Sequence, residues 1–141
     1  FASARLTRAL AQLSDSYVSV VGGVSCLLTV PELEEHTLGL SMLELCLREL
    51  GWEVSWLGNN TPKETVISAI HSGNYKAVAL SASANYKYPD ILTTYTRDLE
   101  VVCQKTNTML WLGGDAPWPD NPPYATRMYD FESLPRARSI Y

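Results

Sequence analysis

The stretch PELEEHTLGL (Pro31–Leu40) holds one of only two histidines in the chain of 141 residues, and it places His36 two positions after Glu34 and three before Gly39. At the amino end of a helix the dipole favours a neutral imidazole, which is the form that binds metals. Glu34 is close enough in a turn to accept a hydrogen bond from one ring nitrogen. That arrangement orients a histidine ligand and strengthens its other nitrogen as a donor. Gly39 removes a side chain from the first helical turn, so a bulky ligand can approach the backbone. One histidine does not make a zinc site, so a metal held here takes most of its ligands from elsewhere, as in a macrocycle. These residues alone leave open the plainer reading, a solvated loop histidine before a helix beside an unimportant glycine.

The elements that position this stretch follow from hydrophobic periodicity. Leu6, Leu10 and Leu13 mark residues 1–16 as a leading helix, either a short one or the end of an upstream domain, and residues 17–141 read as one α/β domain. The chain begins with Phe1, as expected of a processed chain or a piece of a longer protein. VSCLLTV (Val24–Val30) is the nearly continuous apolar run of a strand buried on both faces. HTLGLSMLELCLREL is helical, with Leu38, Met42, Leu45 and Cys46 on one stripe, Leu43, Leu47 and Leu50 beside it, and Gly51 as the stop. WEVSWLG is a second strand. TPKE (Thr61–Glu64) reads as a capping box with proline at the first helical position, opening a helix through Val66, Ile67 and Ile70 that Gly73 closes.

KAVALSAS is a third strand, and Pro89 opens a third helix with Ile91, Leu92, Tyr95, Leu99 and Val102 facing inward. TMLWLGG is a fourth strand, DAPWPDNPPY a proline-rich loop, and RMYDF a fifth, edge strand before a short terminal helix. This alternation predicts an open parallel five-stranded sheet with helices on both faces, of flavodoxin-like order. Ligands of such sheets sit beyond the carboxyl ends of the strands. Those ends are TVPELEEH, LGNN, SASANYKY and GGDAPWP, where polar and aromatic residues gather.

Several ligand classes are disfavoured by chemistry. The glycines of GGVSC precede the first strand and lack dinucleotide spacing, and no phosphate-cradling P-loop is present. The third strand ends in Ser81-Ala82-Ser83, where a phospho-receiver needs an aspartate, and PELEE would repel a flavin phosphate. With a net charge of −4 and scattered Lys and Arg, direct nucleic-acid binding is not expected. Hydrophobic residues make up 46% without a run long enough for a membrane span, so no membrane association is expected. Cys26, Cys46 and Cys103 are far apart in apolar stretches, as buried reduced thiols of a cytoplasmic protein would be.

EEHTLG followed by MLELCLRELGWEVSWLGNNTPKE resembles the cobalamin-binding Rossmann-like domain, whose signature is Asp-x-His-x-x-Gly after strand one, Ser-x-Leu after strand three and Gly-Gly after strand four. The likeness spans about Val24 to Pro119 and implies a cobalamin-binding-domain type of fold that binds a tetrapyrrole. Position by position, it makes His36 the lower axial ligand to cobalt, in place of the cofactor's own benzimidazole. It makes Gly39 the glycine that lets the displaced nucleotide tail pass, Ser81 the serine near that tail, and Gly113 and Gly114 the pair packed along it. Apart from the likeness, Ser81 reads equally as a strand end and the glycine pair as a turn.

Two departures carry information. Glu34 replaces the motif's aspartate, which resembles the branch of light- and cobalamin-sensing transcriptional regulators. Ser83 replaces the leucine of Ser-x-Leu, which unsettles the tail's fit and leans toward haem. EHTLGLSMLE also resembles the antirepressors of purple bacteria, in which a related domain senses haem. The resemblance therefore implies a non-enzymatic sensor that binds cobalamin, or alternatively haem, through His36 as axial ligand to cobalt or iron. Its partner would be a transcription factor or another regulatory protein domain. A corrinoid-carrying subunit of a methyltransferase or mutase is a further alternative, and a ligand-free interaction domain another. In that last case Trp118, expected to be exposed, would anchor a partner. Tyr86 and Tyr88 could cover a macrocycle but read first as surface residues, and His71 reads as a solvated helix end.

Overall fold

The computed structural model describes residues 23–58 and 60–137, so the leading helix expected over residues 1–16 lies outside the described residues. The elements are β1 (Ser25–Thr29), α1 (Leu38–Glu49), β2 (Glu53–Trp56), α2 (Lys63–Ser72), β3 (Ala77–Ser81), α3 (Pro89–Thr106), β4 (Met109–Gly113) and β5 (Thr126–Arg127). All five strands are parallel in the order β2-β1-β3-β4-β5, the flavodoxin-like order expected. Alternate strand residues feed two cores, as a period of two requires. Cys26, Leu28, Ala77, Ala79 and Trp111 meet Leu40, Leu43 and Leu47 of α1. Leu27, Val78, Leu80, Leu110 and Leu112 meet Val66 and Ile70 of α2 and Leu92, Leu99 and Cys103 of α3. The central strands are therefore apolar at nearly every position.

The structure corrects several expectations. The buried side of α1 is Leu40, Leu43, Glu44 and Leu47, whereas Met42 of the other stripe is 43% exposed. A single helix covering this face has room to bury one stripe only. On α3, Cys103 is buried while Ile91 and Val102 are only half-buried. The Thr61 hydroxyl does not cap α2; it donates backward to the carbonyls of Leu57 at 2.8 Å and Gly58 at 3.2 Å and closes the turn after β2. The fifth strand is Thr126–Arg127 alone, and no α-helix follows it among the described residues.

The proline-rich loop is a further correction. Trp118 is 7% exposed, and its indole N–H donates to the Gly113 carbonyl at 2.9 Å, so it is no surface anchor. Tyr124 donates its hydroxyl to the Thr108 carbonyl at 2.7 Å. The buried Glu100 carboxylate accepts the backbone N–H groups of Tyr124 and Ala125 at 2.6 and 2.7 Å. Four prolines in this loop bring no N–H groups that would need partners, so it can pack against the α3 side without a helix's hydrogen bonds.

The opposite face is closed by the chain's last described residues. Trp52 stands edge-on to Trp111, with ring centroids 5.5 Å apart, and donates its indole N–H to the Pro135 carbonyl at 2.8 Å. Phe131, Leu134 and Ala137 complete the α1-side core. Replacing Trp52 with phenylalanine removes that hydrogen bond and part of the edge contact. We expect Trp52→Phe to lose roughly 1–3 kcal/mol in urea unfolding. An unchanged midpoint would show that the pin contributes nothing.

Candidate functional site

The described site residues lie at or beyond the carboxyl ends of β1, β3 and β4, where the topology leaves the loops free to bind. His36 occupies the turn just before Thr37, the residue capping α1, and its side chain is 65% exposed. The turn is organised by Glu34, which is only 2% exposed. One carboxylate oxygen accepts the His36 backbone N–H at 2.9 Å and contacts His36 Nδ1 at 2.8 Å. The other accepts the Ser83 backbone N–H at 2.8 Å and its hydroxyl at 3.4 Å. Burial works to raise the Glu34 pKa, but hydrogen bonds from Ser83 and His36 and the charge of the imidazole outweigh it and hold the carboxyl below its ordinary value.

This contact fixes the tautomer. An ionised carboxylate only accepts, so Nδ1 carries the proton, and in the neutral form of the ring the lone pair is on Nε2. No protein partner for Nε2 is present among the described residues. Ser83, expected to matter through a missing leucine, instead supplies two donors that tie the β3 end to the histidine loop.

The same cleft is lined by Leu33, Tyr86, Lys87 and Tyr88. Tyr86 is not a surface residue: it is 7% exposed and donates its hydroxyl to the Glu32 carbonyl. Burial, together with the nearby Glu34 and Glu32 charges, pushes its phenol up to about 12, so it stays a donor. Tyr88 is 46% exposed, as expected. His71 is exposed in the last turn of α2.

The other predicted residues form a second cavity of about 230 Å³, lined by Gly39, Ser81, Gly113 and Gly114 together with Leu43 and Trp111. The two glycines at the end of β4, its last residue and the one after it, have different reasons to be glycine. Gly114 sits at φ +81°, where a side chain would also collide with the Ala82 carbonyl, so the fold requires it. Gly113 needs no such freedom, and a methyl there would rest 3.7 Å from the Leu80 carbonyl. A methyl at Gly39 would stand 3.3 Å from Ser81 Oγ. The fold thus has room at Gly113 for a side chain that would intrude on the groove, whereas one at Gly39 would need Ser81 Oγ to give way by a few tenths of an ångström. Ser81 Oγ has no hydrogen-bond partner among the described residues.

Sequence reasoning missed the groove's far wall, Met128 to Phe131, because RMYDF has the residue pattern of an edge strand. It also missed Leu33 and Asn60. Both have left-handed backbones, φ 67° and 53°, and the Leu33 N–H donates to Asn60 Oδ1 at 2.6 Å. The polar turn LGNN was the one available signal.

The sequence matches the B12 binding domain family over residues 24–126. The fold is similar to that of a cobalamin-binding protein from Desulfitobacterium hafniense DCB-2, with a TM-score of 0.61, 18% identity, and 77% of this chain and 53% of that one covered. It is also similar to the monomethylamine corrinoid protein of Methanosarcina barkeri, with a TM-score of 0.54, 18% identity, and 96% of this chain and 62% of that one covered. The chain thus spans less than two thirds of either structure's length. At these identities the likeness is one of fold. No curated protein matches the sequence.

Glu34 generates a pH prediction. Folding lowers its pKa, so the carboxylate's contribution to stability is complete above the ordinary value of 4.5 and is lost as pH falls through the lower folded value. Glu34→Gln turns an amide N–H₂ toward donors on one side. It should cost roughly 2 kcal/mol at pH 7, and the gap to wild type in urea unfolding should shrink below pH 4.5. A gap that stays constant down to pH 3 (an acidity where, by roughly one unit, the free carboxyl is protonated) would contradict this.

Proposed function

The chain belongs to the B12 binding domain family, and from that premise we propose that it binds cobalamin through Nε2 of His36 as the lower axial ligand to cobalt, with the nucleotide tail in the glycine-lined groove. The observation that carries this reading is the hydrogen bond between Nδ1 and Glu34, which leaves the second ring nitrogen without a partner among the described residues and on an exposed side chain. A buried carboxylate behind a ligating imidazole is the usual support for a metal-bound histidine. The groove supports the reading independently, since Gly113 keeps open a space that neither its backbone nor its neighbours require.

The chain's own residues do three things in this reading. Glu34 holds the imidazole proton on Nδ1 and fixes the ring. Ser83 holds Glu34, so the ligand loop is bound to the end of β3. Ser81 offers a free hydroxyl to the tail, and Leu43 and Trp111 supply apolar wall. Held by these residues, cobalamin would supply a metal centre whose state light, redox change or a small ligand could alter.

The domain type is a cofactor-binding module rather than a catalytic unit. We further read it as a regulatory sensor that signals to a partner protein or transcription factor. Glu34 in place of the motif's aspartate supports this, because that exchange resembles the branch of light- and cobalamin-sensing regulators.

Absorption spectra of the purified protein with hydroxocobalamin, with cobinamide (the tail-less corrinoid) and with haemin test the reading. Wild type should shift the hydroxocobalamin spectrum and His36→Ala should not. A shift with haemin alone, or equal binding by His36→Ala, would overturn it. Gly113→Ala should fold normally and weaken hydroxocobalamin binding about tenfold while leaving cobinamide unaffected. An equal loss for both corrinoids would remove the tail from the groove.

A further inference from the structure

Leu33 combines properties that do not suit a mere connecting residue. Its φ of 67° lies in the left-handed region that glycine and asparagine enter easily and leucine rarely does. Its side chain is 52% exposed, so burial in the protein does not offset the strain. The backbone is nonetheless held firmly in place. Asn60 Oδ1 accepts the Leu33 N–H at 2.6 Å, Tyr86 donates to the preceding carbonyl of Glu32, and the following Glu34 is fixed by Ser83 and His36. A strained backbone locked on three sides that presents an apolar side chain to solvent points to use rather than packing.

Leu33 lines the same cleft as His36 and Tyr88. The Tyr88 ring is steadied edge-on against Tyr86, with centroids 5.8 Å apart and planes at 78°. The cleft thus offers an isobutyl group and a phenol ring near the imidazole. A tetrapyrrole whose metal is held by that imidazole presents a broad, largely apolar face around it. We propose that Leu33 is a ligand-contacting residue, forming with Tyr88 an apolar seat for the macrocycle face around the His36-held metal. The inference rests on the corrinoid reading of the His36 site. A glycine would serve the backbone better, so the leucine is there for its side chain.

The test compares thermal unfolding without ligand and hydroxocobalamin titration for wild type, Leu33→Gly and Leu33→Asn in the full chain. Both substitutes accept a left-handed backbone, so both variants should unfold at the same or a higher temperature than wild type. Their affinity for hydroxocobalamin should fall about tenfold, the effect of losing a half-exposed leucine from a contact. Gained stability with lost affinity is the signature of a residue kept for its ligand. Unchanged affinity, or a joint loss of stability and affinity, would overturn the seat while leaving His36 as ligand. A wild-type protein that takes up no hydroxocobalamin would overturn the corrinoid reading, and the seat with it.

Discussion

A carboxylate buried to 2% exposure is destabilising by several kcal/mol unless its lone pairs are met, and Glu34 meets them with four hydrogen bonds, two on each oxygen. That requirement fixes a good deal of the surrounding geometry. The donors come from the loop after β1 and from the end of β3, so the two loops cannot separate without stranding the charge. His36 is consequently placed by a constraint that would exist without any ligand. The imidazole itself stays exposed, with one nitrogen committed to Glu34 and the other available.

The rest of the site is arranged about this clamp. On one side lies the cleft that holds His36, Leu33 and the Tyr86–Tyr88 pair; on the other lies the groove between α1, the β3 and β4 ends and the chain after β5. Gly39 lies one turn after His36 and lines the groove, so α1's first turn joins the two. The sheet makes the arrangement stiff, because β1, β3 and β4 carry apolar residues on both faces and leave little room for relative motion.

Much of the fold was legible in the sequence because its cause is local. Apolar runs such as VSCLLTV and KAVALSAS read as strands buried on both sides, and Pro89 and Gly51 mark where α3 begins and where the chain leaves α1. The pairing of Glu34 with His36 was also legible, since they are only two positions apart. What failed was non-local. Glu34 and Ser83 are 49 residues apart, and nothing in the spacing of either foretells that Ser83 donates to a carboxylate. Trp118 looked like an exposed anchor in a polar loop, yet an aromatic residue among prolines can fill a core where a helix is absent. Tyr86 and Tyr88 are chemically alike and two positions apart, and only the tertiary fold buries the first and leaves the second 46% exposed.

Ligation of cobalt by His36 Nε2 is most directly measured by electron paramagnetic resonance of the protein loaded with cob(II)alamin. The unpaired electron lies along the axial direction and registers the spin of the nitrogen below it. With ordinary protein the cobalt lines should split into triplets from a nitrogen-14 ligand. With protein grown on nitrogen-15 histidine they should become doublets. Triplets that persist in the labelled protein would mean that the cofactor keeps its own base, and would contradict the account.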